Sequence, residues 1–249
     1  MIRGLYTAAT GMQSQQNRMD VVTNNLANAG TTGYKEDSLM TRSFQDALTA
    51  RMEDPAVVSS STEIGPLGYG IHIDEIRTSF LSGSLQETSL NTDLALVGDG
   101  FFAVQTPQGE RYTRAGNFSV SADGYLTTSE GFAVLGQNGP IQVGSATFSV
   151  SGSGQVNTAA GSDQLRMVSF ADNGGLRKAG NNLYTNYDTQ ITGTADTQVR
   201  QGYLESSNVD MTSQVVNMIS IQRNFELNSK IVKIMDERLG RAVNDIGKL

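Results

Sequence analysis

The chain has 249 residues, of which 38% are apolar and 27 are glycine. That length allows one large domain or two smaller ones, and the composition favours turn-rich β structure over a thick core. The absence of cysteine excludes disulfides, thiolate nucleophiles and thiolate metal sites, and a single histidine, His72, argues against histidine metal centres and triads. The net charge of −7 lies in the middle, with nine basic against sixteen acidic residues in 41–204, so the cationic footprint that nucleic acid requires is missing.

The first 28 residues have helical spacing. Leu5, Ala8, Met12, Gln15, Met19, Val22 and Leu26 alternate steps of three and four, which keeps a seam on one side of a helix. Ala8 and Ala9 permit close approach, and Gly11 costs about 1 kcal/mol of helix propensity. No continuous apolar run follows Arg3, so the segment is not read as a cleavable leader. The pattern ends at Asn28-Ala-Gly-Thr-Thr-Gly33, where Gly30 or Gly33 can turn left-handed. Residues 36–70 read as an extended connection, with a short helix around RSFQDALTARM and a Ser/Thr-rich stretch leading to Gly65-Pro-Leu-Gly-Tyr-Gly70.

From there the period changes to two. LALVGDGFFAVQ and ERYTRAGNFSVSADGYLTTSEGFAVLG are short alternating segments broken by Asp-Gly, Gln-Gly and Asn-Gly pairs, which are hairpin signals. The texture continues through PIQVGSATFSV, QLRMVSF and NNLYTNY. The helical period then returns. Met211, Met218, Phe225, Val232, Leu239 and Ile246 recur every seventh residue, with Gln214, Ile221, Asn228, Met235 and Ala242 between them. Asp210 or Ser207 is placed to cap this helix.

The expected fold is therefore α+β. Long N- and C-terminal helices pair as a coiled-coil-like domain formed by 1–35 and 205–249. Residues 36–70 link it to an inserted all-β domain at 71–204. Ile2, Ala9, Val215, Ile219, Ile231, Ile234 and Val243 lie off the narrow seams and widen the apolar surface past a two-helix contact. The residues alone thus point to a self-assembling structural protein, a homo-oligomer. A secreted adhesin or carbohydrate-binding β domain on a coiled-coil stalk is the alternative.

Chemistry is sparse. No phosphate loop, dinucleotide fingerprint, zinc-protease motif or nucleophile elbow is present, and no catalytic residue, cofactor, metal or small-molecule substrate is expected. Asp93 and Asp99 are six apart, but Asp99-Gly100 reads as a turn before Phe101. Tyr112 and Arg114 share a strand face, as structural or subunit contacts. His72 reads as a strand histidine without a catalytic role. Asn28 reads as a local cap, whereas Asn24 and Asn25 either bond a neighbouring helix or subunit or face solvent.

Several stretches, in order along the chain, resemble the flagellar rod and hook family. They are LYTAATGMQSQQNRMDVVTNNLANAGTTGYK, DLALVGDGFFAV, YTRAGNFSV, DGYLTT and GYLESSNVDMTSQVVNMISIQRNFELNSKIVKIMDERL. The resemblance implies an axial subunit of the bacterial flagellum, outside the cytoplasmic membrane, exported unfolded through the flagellum's own type III apparatus. It implies terminal helices packed around a central channel and a β domain forming an outer layer. Its helical patches fall on Asn24, Asn25, Leu26, Ala27 and Asn28, and on Ser207, Asn208, Val209 and Asp210. Neighbouring rod and hook proteins, and a surrounding ring or bushing, are the implied partners. The middle domain is small for a hook subunit and large for short proximal rod subunits, and DNGGLRKAGNNLY is similar to the distal type.

Overall fold

The computed structural model describes residues 2–43, 47–51, 62–68, 70–144, 147–158, 161–187, 190–191 and 197–247. The Ser/Thr-rich run at 52–61 lies outside them, as do the side chains of Ile2 and Ile246. The architecture is α+β, with an N-terminal helix, a large β-rich region and a C-terminal helix. It divides into two compact units. One comprises Met1–Leu26, Asp37–Arg77 and Met211–Leu249; the other comprises Ala27–Glu36 and Thr78–Asp210.

The first unit contains helices α1, Ile2–Ala27, and α2, Met211–Ile246. At 1.5 Å per residue, the 36 residues of α2 extend about 54 Å. The unit also contains strand Asp37–Ser43, paired with Ile71–Thr78, and an antiparallel pair, Ala47–Arg51 with Thr62–Leu67. A short helix was expected around RSFQDALTARM. Its described residues instead lie in Asp37–Ser43 and Ala47–Arg51, because a local helical pattern gave way to strand pairing across the segment.

The second unit is built on an eight-stranded antiparallel sheet. Its order is 176–178, 183–186, 109–113, 101–106, 133–134, 126–127 and 119–120, with 167–168 also on strand 101–106. The hairpin joining Phe101–Thr106 to Gly109–Thr113 pairs Thr106 with Gly109, leaving Pro107 and Gln108 as its two-residue turn. At Asp123-Gly124 the glycine takes φ +79, and its amide donates to the Ser121 carbonyl. A three-stranded meander spans 149–164, and two further pairs join 94–97 to 198–201 and 85–87 to 203–205.

Strand Phe101–Thr106 is central. Successive side chains point to opposite faces, and here both faces are covered. Phe102 and Val104 join a core with Leu94, Leu126, Val134 and Ile141, whereas Phe101 and Ala103 join a second core with Phe170 and Tyr184. The FFAV run is therefore continuously buried, and the alternation expected of a one-sided sheet is absent there. The second core is aromatic: Phe101 stands edge-on to Phe80, Phe170 and Tyr184 at centroid distances of 5.6, 5.6 and 5.7 Å.

Candidate functional site

Two features of the chain bear on function: the segments that lead out of α1 and into α2, and the apolar faces of the helices themselves. The outgoing segment begins with a turn in which the Asn28 carbonyl accepts from the Thr31 amide at 3.0 Å, and Asn28 Oδ1 accepts from the Thr31 hydroxyl. Gly33 follows with φ +66, and a Cβ there would lie 2.5 Å from Ala115 N and from the Arg114 carbonyl carbon. Only glycine supplies both the left-handed backbone and that clearance. Of the two candidates, Gly33 is thus the left-handed residue, and Gly30 is not.

Glu205 holds this segment. Its carbonyl accepts from the Gly33 amide at 2.7 Å, and its carboxylate takes the Lys35 ammonium at 2.7 Å, the Gly83 amide at 2.9 Å and the Arg114 guanidinium at 3.4 Å. All three charged side chains are buried. Lys35 Nζ also donates to the Leu81 carbonyl, and Arg114 donates to the Gly98 carbonyl while lying 5.1 Å from the centre of the Phe101 ring. Burial pushes the Lys35 ammonium below its ordinary range, against the opposing pull of Glu205, and it lowers Arg114 in the same way. Lys178 covers the segment from outside, donating to the Lys35 carbonyl and lying 4.0 Å from the centre of the Tyr34 ring.

Asn208 completes the arrangement. Its Oδ1 accepts from the Glu36 amide at 2.8 Å, its Nδ2 donates to the carbonyls of Ser79 and Leu81, and its own amide donates to the Tyr34 carbonyl. In the helical unit, Asn25 does similar work one residue further along the chain. Its Nδ2 donates to the Asp37 carbonyl at 2.8 Å, and its Oδ1 accepts from the Asp37 amide at 3.0 Å. Asn25 is buried, and this partner is the start of a strand, where the sequence suggested a helix, a subunit or solvent. Asn24 and Ala27 are exposed. Ser207 Oγ accepts from the Val209 amide, forming a local turn ahead of α2; Asp210 is exposed and directly precedes the helix.

On α1, Ala8 and Val22 are buried and Leu5, Met12, Met19 and Leu26 half-buried. On α2, Ile221 is buried, Met218, Val232, Met235 and Leu239 are half-buried, and Met211 and Phe225 are exposed. Polar Ser14, Asn25 and Gln214 are buried among them. The off-seam residues Val215, Ile219, Ile231, Ile234 and Val243 are all exposed, together with Val216 and Leu227, which the heptad reading passed over. At 100° per residue, Val216, Leu227, Ile231 and Ile234 fall within about 60° of arc, on the side away from Ile221. This is a second apolar face on a helix that already has one.

The residues weighed for chemistry have structural surroundings. Asp93 is buried and bridges to Asn117, whereas Asp99 is exposed beside Gly98, whose φ is +107. Tyr112 packs in the aromatic core with its phenol pushed up mainly by burial, and Arg114 belongs to the Glu205 cluster. Both are buried inside one chain, so neither is a subunit contact. His72 is an exposed residue of strand Ile71–Thr78. Among the described residues no cluster of three His, Cys, Asp or Glu side chains could hold a metal, and no helix is long and apolar enough to cross a membrane. Sequence reasoning missed Lys35 and Glu205. Nothing local marks a charged residue in GYKED or YLESS as buried.

Two long terminal helices with surplus apolar surface, and a β unit whose residues weighed for chemistry have structural surroundings, are the marks of a structural protein. Comparison with known proteins makes this specific. The family described as "Flagella basal body rod protein" matches residues 5–35, the "Flagellar hook protein FlgE/F/G D1 domain" matches 95–158, and "Flagellar basal body rod FlgEFG protein C-terminal" matches 200–245. The chain is 35% identical to the flagellar basal-body rod protein FlgG of Bacillus subtilis, covering 98% of this chain and 99% of that one. It is also 35% identical to the flagellar hook-basal body complex protein FlhO of the same organism, and 31% identical to the flagellar basal-body rod protein FlgF of Caulobacter vibrioides, each over the full length of both chains. The chain belongs to the flagellar basal-body rod protein family. It is a structural component of the flagellar basal body and not an enzyme.

Proposed function

We propose that the chain is a subunit of the distal segment of the rod, polymerising with copies of itself into a hollow helical shaft that passes torque from motor to hook. The observation that carries this reading is the second apolar face of α2, with Val216, Leu227, Ile231 and Ile234 exposed on a helix that already uses another face. One chain leaves that surface in water, and lateral packing of identical helices removes it.

In this reading residues 1–35 and 205–249 form the assembly domain, with α1 and α2 paired as an antiparallel, coiled-coil-like hairpin. Support comes from Gly4, where a Cβ would lie 3.1 Å from Met235 Cε, and from Gly11, where one would lie 3.1 Å from Asn228 Nδ2. Seven residues forward on one helix correspond to seven back on the other. Leu5, Ala8, Met12, Met19, Val22 and Leu26 then face the seam formed by Met218, Ile221, Phe225, Val232 and Met235, with Met211 at one end, while Leu239 and Ile246 continue the stripe past the start of α1. Residues 36–70 connect to residues 71–204, the outer layer. The partners are neighbouring rod and hook subunits, the flagellar type III export apparatus during delivery and a surrounding ring or bushing. The location is the cell envelope outside the cytoplasmic membrane.

A proximal position is the second reading, because the likeness runs the full length of rod relatives under more than one name, FlgG and FlgF. The test is assembly of the purified chain, followed by helical reconstruction. Phe225→Asp is expected to abolish polymerisation while the β unit stays folded, because Phe225 is exposed in the single chain and the charge would lose its solvent only where copies pack over the seam. Normal polymers from that variant would refute the seam. Polymers that form only on a template of proximal subunits, and then accept hook protein, would support the distal position; polymers capped by another rod protein would support the proximal one.

A further inference from the structure

We infer that Glu205 and Asn208 form a clamp that makes the ordering of the segment leaving α1 conditional on the segment entering α2. The two stretches are about 170 residues apart in sequence, yet the first takes several of its polar partners from the second. Residues 32–36 form no strand of their own. Their polar groups go to distant partners: the Gly33 amide to the Glu205 carbonyl, the Lys35 ammonium to the Glu205 carboxylate, the Glu36 amide to Asn208 Oδ1 and the Tyr34 carbonyl to the Asn208 amide. The second depends on the first through the same cluster, beside the ladder of Tyr203–Glu205 with Leu85–Glu87. The Glu205 carboxylate is buried and its partners are Lys35, Arg114 and the Gly83 amide, so removing Lys35 takes away its closest cation.

A buried carboxylate with a partner lost, or a buried ammonium with none, is expensive, and this makes the junction cooperative. Gly33 adds a steric condition, because its backbone can lie against Arg114 and Ala115 only in the left-handed form. The two segments are therefore coupled, and loosening either one loosens the other. A subunit whose C-terminal segment is absent or unfolded cannot hold the exit from its N-terminal helix, which makes the clamp an internal check that both ends of one chain have arrived. This inference concerns the single chain and stands whether or not the chain occupies the distal rod.

The test perturbs one side and reads the other, by amide hydrogen exchange on the full-length monomer. Asn208→Ala leaves the three charges in place, and Asn208 does not bond the Gly33 amide. The Gly33 amide is nevertheless expected to exchange on the order of tenfold faster. In Lys35→Met, the amides of Gly83 and Ser206, which bond Glu205 and Ser84, are expected to respond in the same way. Amides of strand Phe101–Thr106 keep their rates in Asn208→Ala. Faster exchange confined to Tyr34 and Glu36 in Asn208→Ala would overturn the clamp, as would a uniform increase across the whole β unit. If Lys35→Met does not fold, Asn208→Ala decides alone.

Discussion

The β unit and the helical unit dispose of their apolar residues in opposite ways. In the β unit, strand Phe101–Thr106 carries core on both faces, and fifteen buried side chains among the described residues form a single cluster on one of them. In the helical unit α2 runs for 36 residues, of which Gln214 and Ile221 are buried, while seven aliphatic side chains off the seam remain in water. The β unit has completed its burial within one chain, and the helical unit has not. A chain that folds its middle alone and leaves its ends unfinished holds assembly energy in reserve, because burial that is withheld in the monomer becomes available between subunits.

The comparison can be broken most forcefully at the centre of the β unit. Phe102 is fully buried, edge-on to Phe118 at 5.1 Å. Phe102→Ala is expected to cost about 3–5 kcal/mol in chemical denaturation, through lost transfer energy and the cavity left behind. A loss under about 1 kcal/mol would mean that the unit is not the self-sufficient body described.

Next in size is the ion cluster. Lys35→Met removes one cation from Glu205, leaves Arg114, and is expected to cost about 3 kcal/mol. It also has a pH signature. Burial holds the Lys35 pKa below 10.5, so in the window beneath that value the unfolded chain binds more protons than the folded one. Stability therefore rises with pH through that window. Tyr112, raised above 10.0, acts oppositely but only beyond that pH, where the folded chain retains the proton longer and stability falls as pH rises. Denaturation curves of the wild type up to pH 10 should show the rise, and Lys35→Met should abolish it. An equal slope in both would assign it to another group.

A smaller effect probes the helices. Gly11→Ala gains about 1 kcal/mol of helix propensity, but its methyl meets Asn228 Nδ2 at 3.1 Å. That atom ends a flexible side chain, so the amide can swing away, and a net stabilisation below about 1 kcal/mol is expected. Destabilisation by more than that would show that the Asn228 amide is fixed by the contact.

How much of this was legible beforehand follows from the range of each signal. Helix α1 ends at Ala27 and α2 begins at Met211, close to where the three-and-four spacing stops and starts, because an amphipathic stripe is written locally. The hairpin marked by Gln108-Gly109, whose turn residues are Pro107 and Gln108, and the Asp123-Gly124 turn were legible for the same reason. Strand Ala47–Arg51 was not, since its helical look is local and its pairing with Thr62–Leu67 is not. The Glu205 cluster was the least legible. Lys35 is 170 residues from Glu205, and a charged residue becomes buried only through contacts that spacing does not encode. The asparagines were visible as a polar patch, but the Asp37 backbone partner of Asn25 was not.

The smallest expected effect on the monomer is the most informative about the reserve. Ile231 is exposed on the outer face of α2, so Ile231→Asp removes little burial and leaves the new charge solvated. Monomer stability should change by no more than about 0.5 kcal/mol. If that face packs against a second copy, the same carboxylate must be desolvated at the interface without a partner, and polymerisation should fail. Thermal melts and sedimentation on one sample read both quantities. An unchanged melt with lost polymer locates the reserve on this face. Unchanged polymer would return it to the seam around Phe225, and a lowered melt would mean that Ile231 already works inside the single chain.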